Sequence, residues 1–422
     1  MAIPPIFALG PDDGAVNTRR LHRQRLLDAI RRYGPISRAD LAKRTHLSPP
    51  TVSALVEELV GSAGLLREVG IGASSGGRPP ILLEFNADVG CLVGVDIGSR
   101  TLRVAVADLQ GQVIGRHHER TRADSLDASI AQIGDGIAAL LERAGRDPSK
   151  VFAIGVGAPG MTDVKAGRVI SAANLAGWTD VPLRELLQTR FHTEVHVDND
   201  ANMAALGERW QGVARQSSDF VFLALGAGVG AGIVVGGRLH RGHRWHAGEI
   251  SRMTLDYREW QVDFGARGYL ESRIGAAAIP GWADARQLVA GHDPDAASRV
   301  IFEAAREGDA QAAAIVEELA VFLGAAIANL VSVLDPELIV FGGGLSHAGG
   351  ILLRPVKRVV SRIVPNVPRL EVSALGDEAQ LYGALYSASE VADARLFAIA
   401  GRLGSQPADA GDERPSPVLP SR

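Results

Sequence analysis

"CLVGVDIGSRTLRVAVADLQGQVIG" (Cys91–Gly115) and "FVFLALGAGVGAGIVVGGRL" (Phe220–Leu239) decide the fold. Each is a pair of apolar or alternating runs around a turn of small residues, "DIGSRT" in the first and the glycines from Gly226 to Gly232 in the second. Runs of that kind read as strands, and the turn makes each pair a hairpin. One device used twice predicts two lobes built alike, with a cleft between them. The surrounding chain alternates strand and helix. "VFAIGVGAPG" (Val151–Gly160) is a buried strand ending in a Gly/Pro loop, and "EVHVDNDANMAALGERW" (Glu194–Trp210) is a strand ending in acids, then a helix starting near Ala201. "ELIVFGGGL" (Glu337–Leu345) is a strand running into three glycines, and "DEAQLYGALYSASEVADARL" (Asp377–Leu396) is a late helix. Alternation of this kind makes an α/β domain with largely buried sheets.

The first ninety residues have a different texture. "LHRQRLLDAIRRYG" places Leu21, Leu26, Leu27, Ala29 and Ile30 near one helical face, with Gly34 as its stop. "PISRADLAKRTHLSPPTVSALVEELVG" (Pro35–Gly61) reads as two short helices joined by a tight turn. Ser37 caps the first, with Asp40 in a capping-box-like position, and Ser48 caps the second, whose first turn suits Pro49 and Pro50. Ile36, Leu41, Leu47, Val52, Leu55, Val56 and Leu59 form the expected shared core. "LLREVGIGASSGGRPPILLEFN" is two strands around a Gly/Ser loop, a wing. Helix, short helix, turn, helix and wing in a basic setting is winged helix-turn-helix logic, with double-stranded DNA as the partner. A small helical protein-interaction domain is the alternative. In the DNA reading the second short helix enters the major groove, Ser37, Arg38, Ser48, Pro50, Thr51 and Ser53 face DNA, and Arg78 reaches a phosphate or a minor groove.

Charge supports that polarity. Asn17–Thr45 carries nine Lys/Arg and two Asp, a local +7 in a chain of 422 residues whose net charge is −4. Hydrophobic residues make up 46% and charged residues 22%, ordinary for a globular protein. The lone cysteine, Cys91, excludes an intrachain disulfide and leaves no Cys-based metal site, which fits a reducing cytoplasm. The N-terminus lacks the basic region of a signal peptide. The uncharged run Leu319–Leu334 is short for a membrane span, so a buried core helix and no membrane partner are expected. The expected divisions are a flexible N-terminus over 1–16, the winged helix-turn-helix over 17–86, the two-lobed domain over 90–400 and a disordered tail over 401–422.

Three glycine turns, "DIGSRT", "ALGAGVGAG" and "VFGGGL", are each shaped to let backbone N–H groups approach phosphate, although a glycine turn is more often simply a tight hairpin. In "VDND", Asp200 has three readings. It accepts a proton from a sugar hydroxyl during phosphoryl transfer, it accepts a hydrogen bond from that hydroxyl without chemistry, or it caps the helix that follows. Asn199, Asp200, Glu249 and Glu271 together form the acceptor-rich set that a polyhydroxylated ligand needs. Surface solvation is the plain alternative for the two glutamates.

These residues resemble the ROK family of repressors, open reading frames and sugar kinases. The resemblance runs over roughly residues 17–395, through "SRADLAKRTHLSPPTVSALVEEL", "GGRPP", "VGVDIG", "GVGAPG", "NLAGW", "VDNDANMAALGE", "GAGVGAG", "AGEI" and "FGGGL". It implies an actin-like, hexokinase-type fold with a sugar in the cleft. By position it makes Asp200 the kinase base and Asn174, Asn199, Asp200, Glu249, Arg252 and Glu271 the sugar-side residues, with Trp178 close by. Asp96, Gly98, Gly226, Gly228, Gly230 and Gly343 take the nucleotide-binding places. The departures matter as much. The family's zinc ligands are replaced by Arg252, Val262, Phe264 and Tyr269, so no metal is expected, and apolar packing is expected to hold that loop instead. Ala227 replaces a threonine of the second phosphate turn, so ATP is not an expected cofactor. The reading is therefore a sugar-responsive transcriptional regulator, a homodimer or higher homo-oligomer on operator DNA, with a sugar or sugar-phosphate effector. A sugar kinase bearing a DNA module is the alternative, and a regulator governed by a protein partner is a third reading.

Overall fold

In a computed structural model of the chain, the structure describes residues 14–61, 64–72, 79–172, 175–226, 228–265, 267–276, 278–282, 288–289 and 297–402. The chain divides into two compact units, residues 1–89 with 393–422, and residues 90–392.

The first unit is built from α1 (Gly14–Tyr33), β1 (Ile36–Ser37), α2 (Arg38–Thr45), α3 (Pro49–Gly61), β2 (Leu66–Ile71) and β3 (Ile81–Phe85). The three strands form a sheet of order β1-β3-β2, and β2 pairs antiparallel with β3 as the wing. Leu26, Leu27 and Ile30 of α1 are buried, as are Ile36, Leu41, Val52, Leu55, Val56, Leu59, Leu83 and Phe85. Of the expected core only Leu47 is left half-buried. α1 starts at Gly14, inside the stretch expected to be a flexible N-terminus. The wing loop and Arg78 lie outside the described residues.

The second unit holds two five-stranded sheets of one design. In lobe I, β4 (Cys91–Ile97), β5 (Thr101–Asp108) and β6 (Val113–Arg120) form an antiparallel meander, and β7 (Val151–Ala158) and β11 (Glu194–Asn199) add parallel strands on the other side of β4. Three short strands, β8 (Met161–Asp163), β9 (Arg168–Ser171) and β10 (Thr179–Val181), form a separate small sheet. In lobe II, β12 (Phe220–Leu225), β13 (Val229–Val235) and β14 (Arg238–Leu239) make the meander, while β15 (Leu338–Gly342) and β16 (Arg369–Val372) are the parallel additions. The orders β6-β5-β4-β7-β11 and β14-β13-β12-β15-β16 are the same path drawn twice. β4, β7 and β15 are buried along their whole length, which is why they read as unbroken apolar runs.

Helices cover these sheets: α4 (Leu126–Arg143) and α5 (Leu183–Phe191) in lobe I, then α6 (Asp200–Gln211), α7 (Tyr269–Ile274), α8 (Ala297–Glu307), α9 (Ala310–Leu334), α10 (Gly350–Ile363) and α11 (Ala379–Arg402). By length and composition α9 is apolar enough to cross a membrane. Instead Leu319, Leu323, Ile327 and Val331 share one buried cluster with Leu223, Ile339 and Phe341, so its apolarity serves the lobe II core. α6 leaves strand β11 of lobe I and packs Ala204 and Ala205 against Phe220 and Phe222 of lobe II. It crosses α11 with the backbones almost touching. A Cβ on Gly207 would lie 2.1 Å from the Ala379 carbonyl oxygen, and one on Gly383 would lie 1.7 Å from that of Met203. α11 continues past the two-lobed unit. Its residues from Asp393 group with the first unit, and it runs to Arg402 rather than stopping at the expected boundary of 400.

Candidate functional site

The acids at the end of β11 are sorted by the helix that follows. Asn199 is the N-cap of α6, and its Oδ1 accepts from the N–H groups of Ala201 (2.9 Å) and Asn202 (3.2 Å). Its Nδ2 donates to the Gly160 carbonyl at 2.9 Å. Capping therefore falls to Asn199, and Asp200 becomes the first helical residue, taking one N–H, from Ala201, at 2.8 Å. Asp198, fully buried, accepts from Asn202 Nδ2 at 2.8 Å and from Arg241 Nε and Nη2, each at 2.8 Å.

Two more carboxylates act on Asp200, and a third acts on one of those two. Loss of water pushes the Asp200 carboxyl up to about 7, with the charges of Asp96 and Glu249 adding to the shift and the Ala201 N–H opposing it. Asp96, at the end of β4, is 3% exposed and is pushed up to about 6 by burial, against the pull of Arg103. Glu249 is raised by burial, opposed by His246 and Arg252. Glu271 is raised by burial, opposed by the Val229 N–H and Arg267, with Glu249 adding. Backbone bonds fix both glutamates. Gly248 O accepts from Ala231 N at 2.9 Å, which ties the loop before Glu249 to β13, and Glu271 Oε2 accepts from Val229 N at 3.0 Å.

That last bond also joins the sugar-side residues to the second glycine turn. Gly226 N donates to Gly228 O at 3.0 Å to close this turn, and a Cβ on Gly228 would meet Glu271 Oε2 at 3.4 Å. The third turn lies against it: Gly343 has φ 77°, and a Cβ there would come within 2.6 Å of the Leu225 carbonyl oxygen, so only glycine fits. Gly230 packs beside Ala201 of α6. The first turn is closed by Gly98 N donating to Thr101 O at 3.0 Å. The fold thus brings Asp96, Asp200, Glu249 and Glu271 into one charge-coupled cluster, with Asn199 beside Asp200, the second glycine turn on Glu271 and the third turn against the second.

Other expected residues fall elsewhere. Asn174 and Ala227 lie outside the described residues. Trp178 is 1% exposed within the lobe I core, so its ring is not offered to a ligand. Arg252 is exposed, and no ion pair to it is found among the described residues within 4.0 Å. In the loop that would hold zinc, Phe264 and Tyr269 pack edge-to-face with centroids 5.3 Å apart, and Arg273 stacks on both rings while its Nη2 meets Glu259 at 2.6 and 2.7 Å. Val262 is 53% exposed and takes no part, so the staple is aromatic and ionic rather than purely apolar. In the first unit Ser37 is buried and its hydroxyl is committed to Asp40, accepting from the N–H at 3.1 Å and donating to Oδ2 at 2.8 Å. That correction leaves Ser37 as a cap, withdrawn from the DNA face. Arg38 pairs with Glu68 of the wing strand at 3.1 Å. Ser48 accepts from Thr51 N at 3.3 Å, and Pro50, Thr51 and Ser53 remain at least partly exposed on α3.

Two arginines were not singled out from the sequence, Arg241 on Asp198 and Arg103 on Asp96. The second was open to counting. A four-residue turn from Gly98 to Thr101 sets Asp96 directly opposite Arg103, as the observed register does.

A winged helix-turn-helix followed by a two-lobed α/β domain with a carboxylate-rich recess defines a DNA-binding protein with a sugar-kinase-like body. The chain belongs to the ROK family, whose profile matches residues 92–391, and a winged helix-turn-helix DNA-binding profile matches residues 19–61. It is 32% identical to the xylose repressor of Caldicellulosiruptor bescii, over 83% of this chain and 90% of that one. Among solved structures it is similar to a ROK family transcriptional regulator described as a homologue of the E. coli MLC protein, with TM-score 0.75, 25% identity, and coverage of 91% of this chain and 99% of the other. It is also similar to a ROK family glucokinase from Streptomyces griseus in complex with glucose and AMPPNP, with TM-score 0.62, 30% identity, and coverage of 71% and 99%.

Proposed function

We propose that this protein is a sugar-responsive DNA-binding repressor of the cytoplasm, acting as a dimer on a two-fold operator. The observation that carries the reading is one chain holding both a winged helix-turn-helix and a two-lobed domain in which Asn199, Asp200, Glu249 and Glu271 cluster. Carboxylates accept from sugar hydroxyls. Asp200, Glu249 and Glu271 together disfavour an anion, so a neutral sugar suits the site better than a sugar phosphate. On the DNA side, Pro50, Thr51 and Ser53 of α3 read bases, with Arg38 and Ser48 beside them and Arg78 at a phosphate or in a minor groove.

The reading is tested by a thermal-shift screen of neutral sugars, sugar phosphates and sugar acids, followed by fluorescence anisotropy on operator DNA. At least one neutral sugar is expected to raise the melting temperature and change DNA affinity. No shift and no change across the panel would sink the idea.

A second reading, a sugar kinase bearing a DNA module, is favoured by one feature. The Asp200 carboxyl, pushed up to about 7, is poised as a general base near neutral pH. A coupled ATP-turnover assay with Asp200→Ala as control separates the two. Turnover lost in that variant would favour the kinase.

A further inference from the structure

A nucleoside triphosphate reaches a protein as a complex with a divalent cation, and that cation needs oxygen ligands with free lone pairs at roughly 2.0–2.1 Å. The glucokinase relative with bound AMPPNP raises the question of whether this cleft keeps such a ligand. Asp96 is the carboxylate at the first glycine turn, and one of its two oxygens is already committed. Its Oδ2 is held by Arg103 Nη1 at 3.0 Å, and Arg103 Nη2 lies 4.0 Å from Asp377. The pairing is built into the backbone. Asp96 and Arg103 are direct partners in the β4–β5 ladder, and side chains facing each other across antiparallel strands are held within reach. The neighbouring Arg116 does separate work, bonding Tyr382 at 2.8 Å and pairing with Glu378 at 3.1 Å. Among the described residues no group of three or more His, Cys, Asp or Glu is arranged to hold a metal ion.

We propose that Arg103 is a built-in cation of the cleft, filling at Asp96 the charge role of a nucleotide-bound divalent ion, so that the recess takes its ligand without metal or nucleotide. A guanidinium tethered to the same hairpin competes with a free ion as an intramolecular partner, already positioned by the strand register. It also tempers the repulsion between Asp96 and Asp200. The inference extends the sugar-binding reading, but its ion measurement needs no sugar, so the two fail separately.

The test is Mn²⁺ binding to the full-length protein by electron paramagnetic resonance, with and without AMPPNP, beside a sugar titration in EDTA or excess Mg²⁺. The wild type is expected to show no saturable Mn²⁺ site to about 1 mM, with sugar affinity the same in EDTA and in Mg²⁺. Arg103→Leu is expected to gain a site at least about tenfold tighter, which Asp96→Asn in the same background removes. Saturable wild-type binding that is lost in Asp96→Asn overturns the proposal. So does a folded Arg103→Leu protein with no gain. Should that variant fail to fold, the wild-type measurement and its Asp96→Asn control still decide.

Discussion

Arg241 offers the sharpest perturbation. Its guanidinium is the only charged partner found for Asp198 among the described residues, and Asp198 is fully buried at the point where β11 hands over to α6. Arg241 itself follows β14 in lobe II, so the pair links the strand end that carries Asn199 and Asp200 to the loop that delivers Glu249. Replacing Arg241 with Met keeps most of the side-chain volume and strands the carboxylate. Breaking a buried pair costs about 3–5 kcal/mol. Arg241 is 26% exposed, so water partly reaches the gap, and the low end, about 3 kcal/mol, is the expected loss. At roughly 2–4 °C per kcal/mol for a unit of this size, the melting temperature falls by about 6–12 °C. Asp198→Asn combined with Arg241→Met removes the stranded charge and should restore more than half of that loss. Calorimetry on the four proteins gives the coupling. An Arg241→Met protein within about 1 kcal/mol of wild type, with no recovery in the double variant, would refute the assignment of this pair as the tie between strand end and loop.

Three further outcomes follow from the geometry. The folded-state value of about 7 for Asp200 lies above the usual carboxylate range, so its burial costs nothing in acid and progressively destabilises the fold as pH rises from about 4 to 7. Asp200→Asn should therefore melt higher than wild type at pH 8 and lose that advantage towards pH 4, and an advantage independent of pH would contradict the raised value. Gly343→Ala, placing a Cβ 2.6 Å from Leu225 O at φ 77°, should cost about 1–3 kcal/mol in denaturant unfolding, and a neutral result would mean the glycine turns are not packed as described. Ser37→Ala should lower stability by about 1 kcal/mol through the lost cap while leaving the affinity of the folded fraction for DNA unchanged, and a selective loss of DNA affinity in anisotropy would return Ser37 to the binding face.

The N-terminal unit was legible because its signals are local. Ser37 with Asp40, and Ser48 before two prolines, mark helix starts by hydrogen bonds spanning three residues. The strands of the two-lobed unit were legible for a related reason, since strands buried on both faces must be apolar throughout. Side-chain roles were harder to read. Ser37 satisfies both the cap and the DNA pattern, and only its burial separates them. "VDND" offers three polar residues to one helix end, and the choice of Asn199 as cap depends on Gly160 accepting from its amide. Val262 sits in a position that counting assigns to the staple, yet the loop turns it out to solvent.

By itself the sequence determined the elements, their doubling into two hairpin-led lobes, and the residue types at the recess. Those follow from periodicity, caps and turns, which act over a few residues. Tertiary structure decided which polar groups are spent and which are free. Asp198 is spent on Arg241 from the other lobe, while Asp200, Glu249 and Glu271 have no ion-pair partner within 4.0 Å among the described residues. Partners drawn from strands far apart in the chain, and the loss of water that shifts these carboxyls, exist only once the two lobes have packed.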